Sequence, residues 1–173
     1  MKCRRCLRAL APPLLLMLGL SALVRGAAPE PLAPLSFLLG QWESIGDQAG
    51  ATGRFTFAPS VQDRVIVRTN YSNTPAKDAT PASRHDDVMV IYVEAGSVKA
   101  DYFDSEGHVI RYVAHTRAGE VVFVSEAKTS EPRYRLTYSQ EAGERIQGTF
   151  EVAPPGKPDG FAPYLSWTAR RVR

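Results

Sequence analysis

The chain has 173 residues, 44% hydrophobic and 23% charged, a balance that fits one globular domain and excludes a largely disordered chain, a collagen-like fibre and a multi-domain enzyme. The formal charge is +3, but Lys2, Arg4, Arg5, Arg8 and Arg25 all fall in a terminal segment of leader composition. Without those five, 16 basic side chains face 18 acidic ones, a net of −2, so a nucleic-acid footprint is not supported.

Met1 to Arg8 carry four positive charges and no acid, the apolar run Ala9 to Val24 follows, and Gly26-Ala27-Ala28 supplies small residues suited to a signal peptidase. This order reads as a secretory signal peptide over residues 1–26, cleaved after Gly26 or after Ala28, and predicts export to the periplasm or the extracellular space. The other reading is a membrane anchor. The run is 16 residues long and is interrupted by Pro12 and Pro13, short of the roughly 20 residues of a spanning helix. Cys3 and Cys6 have C-x-x-C spacing but lie within this leader, so the mature chain is expected to hold no disulfide and no thiolate.

Residues 27–39 form a proline-punctuated lead-in, in which Leu35 to Leu39 suit one turn of helix ending at Gly40; residues 40–173 read as a single β domain. From Gly40 the pattern has period two. Strands are predicted over Gln41–Ile45, Gly53–Ala58, Arg64–Ser72, Asp87–Val93, Val98–Asp104, His108–Thr116, Glu120–Ala127, Arg133–Ser139, Arg145–Val152 and Pro163–Arg171. Loops such as Ser105-Glu106-Gly107 and Arg117-Ala118-Gly119 end in glycine and are too short for parallel crossovers, so consecutive strands pair antiparallel. A ten-stranded meander leaves two edges and an apolar face exposed unless it closes. The expected fold is all-β, a ten-stranded antiparallel up-and-down barrel with a short N-terminal helical turn. A two-sheet sandwich is the alternative, with Asn73–Arg84 and Ala153–Ala162 as its only segments long enough to cross over. The first of these is also either a lid over the barrel mouth or plain linker, and Pro154 to Gly160 is placed as a cover for the opposite opening.

Gly40-Gln41-Trp42 opens the first strand directly after a leucine-rich turn, and Leu38-Leu39-Gly40-Gln41-Trp42-Glu43 resembles the opening of nitrobindin-like domains within the calycin superfamily, which also holds lipocalins and fatty-acid-binding proteins. That resemblance implies a basic residue of the last strand, Arg170 or Arg171, lying across the Trp42 ring and latching the barrel shut. It also implies a haem-binding histidine near the C-terminus. Here the chain departs: its last histidine is His115, and Tyr164-Leu165-Ser166-Trp167 stands in the late stretch. Haem is disfavoured, its only available ligands being His85, His108 and His115, and no other cofactor is implied.

Strand alternation assigns an interior of Phe55, Phe57, Met89, Tyr102, Tyr112, Tyr134, Tyr138 and Phe150. That aromatic set, with Asp104 and His108 beside it, suits a hydrophobic or amphipathic small molecule, although the same side chains can instead fill the barrel. Asp104-Ser105-Glu106-Gly107-His108 reads first as a turn in which Asp104 caps backbone amides. Combined with His85-Asp86-Asp87 it also offers a divalent-metal set or an acid–base pair, and no metal ligands are assigned from spacing alone.

The function expected is a ligand-binding barrel rather than an enzyme. The chain has no G-x-S-x-G, H-E-x-x-H or phosphate-loop motif, so the enzymatic alternative, a small hydrolase or isomerase, rests on His85, Asp104 and His108. A packed structural barrel, with exposed Ile66 or Phe103 on a partner surface, is the third reading. A monomer or homodimer without stable membrane insertion is expected, because Lys99 and Asp101 fall on the face that lipid would touch.

Overall fold

The computed structural model describes residues 30–45 and 50–173. The predicted leader, with Cys3, Cys6 and both cleavage positions, lies outside the described residues. A 3-10 helix, Glu30–Leu38, precedes ten strands: β1 (Gly40–Ile45), β2 (Thr52–Ser60), β3 (Val65–Thr74), β4 (Ser83–Glu94), β5 (Ser97–Asp104), β6 (Val109–Arg117), β7 (Glu120–Ser125), β8 (Arg133–Glu141), β9 (Arg145–Ala153) and β10 (Ala162–Arg171). Each strand pairs antiparallel with its neighbours in sequence, and β1 pairs with β10, so the sheet is a closed ten-stranded barrel. The barrel expectation holds and the sandwich does not.

Closure rests on one contact group. Trp42 stands directly across from Arg171, and the Arg171 guanidinium lies 4.3 Å from the centroid of the indole. Arg171 also donates to the Leu39 carbonyl and, at 3.1 Å, to the Phe37 carbonyl, while Trp42 Nε1 donates to Leu38 O at 2.6 Å. The end of the 3-10 helix, the first strand and the last strand are thereby tied together. Of the two arginines considered, Arg171 makes the contact; Arg170 forms an exposed ion pair with Glu43 at 3.0 Å.

The N-terminal turn is longer than the sequence suggested, and its reason is periodic. Leu32, Leu35 and Leu38 recur every third residue, the repeat of a 3-10 helix, and all three are buried. The helix leans on β4 to β7 and closes the barrel end where β1 begins. Behind it Ile91, Ala100, Val121, Phe123 and Ile146 are buried, and Phe57 and Tyr138 meet edge to face at 5.5 Å. That half of the barrel is solid.

Three expectations are corrected. The connection after β3 is shorter than predicted: Asn73 pairs with Arg84 and Thr74 with Ser83, so the hairpin ladder runs on into the predicted loop and leaves residues 75–82 as an exposed linker. The strand β4 accordingly begins at Ser83, four residues earlier than predicted, and carries His85 and Asp86 within it. Because the strands alternate in direction, the loops after β3 and β9 both sit at the end remote from the helix, so Pro154 to Gly160 does not cover the opposite opening. Finally, Ile66 is buried inside the barrel, whereas Phe103 is exposed as expected. The β2–β3 register explains Ile66: Phe57 pairs with Arg68 and Phe55 with Asn70, so the phase holding Ile66, Arg68 and Asn70 shares the inner face with the two phenylalanines.

Candidate functional site

The end away from the helix opens into a cavity of about 640 Å³, inside the range of small-molecule pockets. Its two sides differ in chemistry. On β3, β4 and β5 the inward phase is polar: Arg68 and Asn70, then His85 and Asp87, then Tyr102 and Asp104, with Glu106 and His108 from the turn that follows. On β8, β9 and β10 it is apolar: Tyr134 and Leu136, then Phe150 and Val152, then Leu165 and Trp167 with Tyr164 at the rim. In a ring of ten strands β4 and β9 are diametrically opposed. The polar and aromatic walls therefore face one another.

The polar wall is ordered by cross-strand pairing. Asn70 stands beside Asp87 and Asp87 beside Asp104, a row that sets two carboxylates on adjacent strands. Like charges so placed repel, and each is answered locally. Asp87 accepts from Arg68 Nη1 at 2.5 Å and from Asn70 at 2.8 Å, in a site where Arg68 is 6% and Asp87 8% exposed. Asp104 Oδ1 accepts the backbone N–H groups of Glu106 and His108 at 3.0 and 2.9 Å, the turn cap read from the sequence. Its Oδ2 meets His108 Nδ1 at 2.9 Å and accepts from the Tyr102 hydroxyl at 3.4 Å. His85 places Nδ1 3.0 Å from Glu106 and Nε2 3.2 Å from the Tyr102 hydroxyl and 3.4 Å from Asp87. His85, Asp104 and His108 thus belong to one connected cluster, which the turn reading alone does not require.

The aromatic wall is built by stacking. Tyr134 and Phe150 lie nearly parallel at 5.8 Å, and Phe150 meets Tyr164 edge-on at 6.2 Å. Deeper, the Trp167 ring lies over Gly148 on the neighbouring strand, so closely that a Cβ there would fall 2.2 Å from the indole. The glycine is the space the tryptophan occupies.

Of the interior residues expected, Phe55, Asp104, His108, Tyr134 and Phe150 line the cavity. Tyr102 sits within the polar wall as the hydrogen-bonding bridge between His85 and Asp104. Phe57, Met89, Tyr112 and Tyr138 do not line it; they are buried in the solid half, where the 3-10 helix has capped the barrel. The choice between a hollow and a filled barrel resolves by height, hollow at one end and filled at the other. His115, considered as a haem ligand, is exposed on the outer phase of β6, and His85 and His108 are each held by carboxylates at the mouth. Sequence reasoning missed Arg68, Asn70, Asp87 and Glu106 as cavity residues. The signal for Asp87 was present: with Met89 inside, Asp87 and His85 share its phase.

Burial alone would push the His85 imidazole down, but the hydrogen bond that it donates to Glu106 and the charges of Asp87, Glu106 and Asp104 outweigh it and raise its pKa above 6.5. Burial would push the Asp104 carboxyl up; hydrogen bonds from the His108 amide, the His108 ring and the Glu106 amide hold it below the usual range instead. The two contributions have opposite signs. The His85 contribution is fully present below the unfolded value near 6.5 and is lost as pH rises through the higher folded value. The Asp104 contribution is present above the unfolded carboxylate value and is lost as pH falls through the folded one. Raising pH through the folded His85 value is therefore expected to lower stability modestly, since the ring still touches water and its charge is partly screened. His85→Gln is expected to flatten that slope, which urea unfolding at several pH values will measure.

No protein-family model matches the chain, and no curated protein matches it in sequence. What defines it is the geometry: a closed ten-stranded antiparallel barrel, capped at one end by a 3-10 helix and open at the other into a two-faced cavity.

Proposed function

We propose that the protein is an exported, lipocalin-like binding barrel that holds an amphipathic small molecule in its open half, the polar end against β3 to β5 and the flat apolar part against β8 to β10. The observation that carries this reading is the cavity itself, with opposite walls of opposite polarity. Arg68 adds to it: the side chain is buried and lines the cavity, gives one N–H to Asp87, and keeps its Nε without a partner. Its guanidinium gives the polar wall a buried positive group, suited to the polar end of a ligand. Kinship with calycins is supported by Gly40-Gln41-Trp42 together with the Arg171–Trp42 contact. A soluble rather than membrane-embedded barrel is supported by charge on the outer phases, such as the Arg135–Glu151 pair and the Asp101–Arg111 juxtaposition.

The enzymatic alternative draws its support from the His108–Asp104 contact at the cavity mouth. It rests on that contact, whereas the binding reading uses both walls of the cavity.

The test uses 1-anilinonaphthalene-8-sulfonate, a flat aromatic probe with an acceptor group. Saturable binding at one probe per chain is expected, with Phe150→Ala weakening it by about tenfold, the scale of one lost buried aromatic contact. Ser72→Trp, which places bulk in the cavity from the inner phase of β3, is expected to abolish it. Binding unchanged in Ser72→Trp would refute the reading.

A further inference from the structure

We propose that the cavity mouth is a divalent transition-metal site, ligated by His85, Asp104 and Glu106. Ligand atoms of the three residues all lie within 4.8 Å of one another, and His85 Nδ1 stands 3.0 Å from Glu106 Oε1. Donors around a tetrahedral ion with bonds of about 2.1 Å are separated by about 3.4 Å, so small side-chain shifts close the set. One imidazole with two carboxylates is a donor set for a borderline ion such as Zn2+ or Co2+. Asp104 and Glu106 share the turn that ends β5, and the β4–β5 pairing brings His85 to them from a strand that starts about twenty residues earlier in the chain.

A second observation points to a cation. Of the three carboxylates in the cavity lining, Asp87 is matched by Arg68. Asp104 and Glu106 have no lysine or arginine within ion-pair distance among the described residues; their ionic partners are His85 and His108 alone. Yet the Asp104 side chain is only 5% exposed. Its carboxylate is met there by hydrogen bonds and imidazoles alone, and one divalent ion would add the fixed positive charge that the Asp104–Glu106 pair lacks.

The surroundings are organised for ligation. Two backbone amides hold Asp104 Oδ1 and the His108 ring meets Oδ2 at 2.9 Å, so the carboxylate is fixed in place and His108 is a positioning partner rather than a ligand. Three protein ligands leave a further position, and the site borders the cavity.

The experiment treats the purified chain with chelator, removes the chelator, and titrates with Zn2+ alone, repeated with Co2+ to read ligation from the visible spectrum. One ion per chain is expected. His85→Gln and Glu106→Gln are each expected to weaken binding by at least about tenfold, the scale seen even for outer-shell losses, while His115→Gln leaves it unchanged. Circular dichroism on each variant guards against unfolding. Absence of saturable one-to-one binding, survival of binding in either ligand variant, or equal loss in His115→Gln overturns the proposal. Binding of the anilinonaphthalene probe, followed in the same samples, is a separate result: it survives the failure of the metal site, and its own failure does not remove the metal.

Discussion

Asp87→Ala is expected to lower stability by about 3–5 kcal/mol, a loss that urea unfolding will show as a shift of the midpoint without a change in slope. The reason is asymmetric. Arg68 and Asp87 are both buried on the inner faces of adjacent strands, and Asp87 also accepts from Asn70. Taking away the carboxylate leaves a buried guanidinium with no counter-charge and an amide with no acceptor. Arg68→Met with Asp87→Asn removes both charges together and keeps an acceptor for Asn70. That double variant is expected to recover most of the loss, since a buried ion pair replaced as a unit is often near neutral. A double-mutant cycle will measure the coupling. Strictly additive effects would mean that the two groups do not interact as described.

Trp42→Ala is expected to be of similar size, about 3–5 kcal/mol, the range for truncating a large buried aromatic. Trp42 is 1% exposed, stacks on Phe55 at 6.5 Å, and donates to Leu38 O. Its loss also strips the surface on which Arg171 lies, worth about 0.5–2 kcal/mol in comparable contacts. Arg171→Ala is the milder variant. It keeps the indole but deprives the Phe37 and Leu39 carbonyls of their donor at the seam between β1 and β10. Hydrogen exchange should then show the amides of these two strands opening first in Arg171→Ala, ahead of β4 to β8. A uniform rise in exchange around the barrel would argue against a latch.

Much of the architecture was legible because it depends on period and loop length. All ten strands and their antiparallel order follow from alternation and from short turns, as with Gly107, whose φ of 89° closes the β5–β6 connection. The seam was anticipated only through the resemblance carried by Gly40-Gln41-Trp42, which implied an arginine of the last strand on the Trp42 ring. The cavity was less legible, for reasons that are physical. A charged residue in a strand reads as outward, so Arg68 was passed over; only the cross-strand register, which brings it beside Phe57, turns it inward. Asp87 and His85 were placed at a strand's edge because Ser83 and Arg84 resemble loop composition, yet the β3–β4 ladder continues through them. Nor does alternation say at what height along the axis a side chain sits. Phe55 and Phe57 share a face, but Phe55 reaches the cavity and Phe57 is sealed beneath it by the aromatic cluster with Tyr138.

The central claim is that the open half of the barrel holds a small amphipathic molecule. Native mass spectrometry of the chain purified without denaturant, compared with its denatured spectrum, tests this most directly. The expected result is an added mass in the native spectrum that disappears on denaturation and is missing from Ser72→Trp. Bare mass in every spectrum, with the anilinonaphthalene probe binding wild type and Ser72→Trp alike, would contradict it.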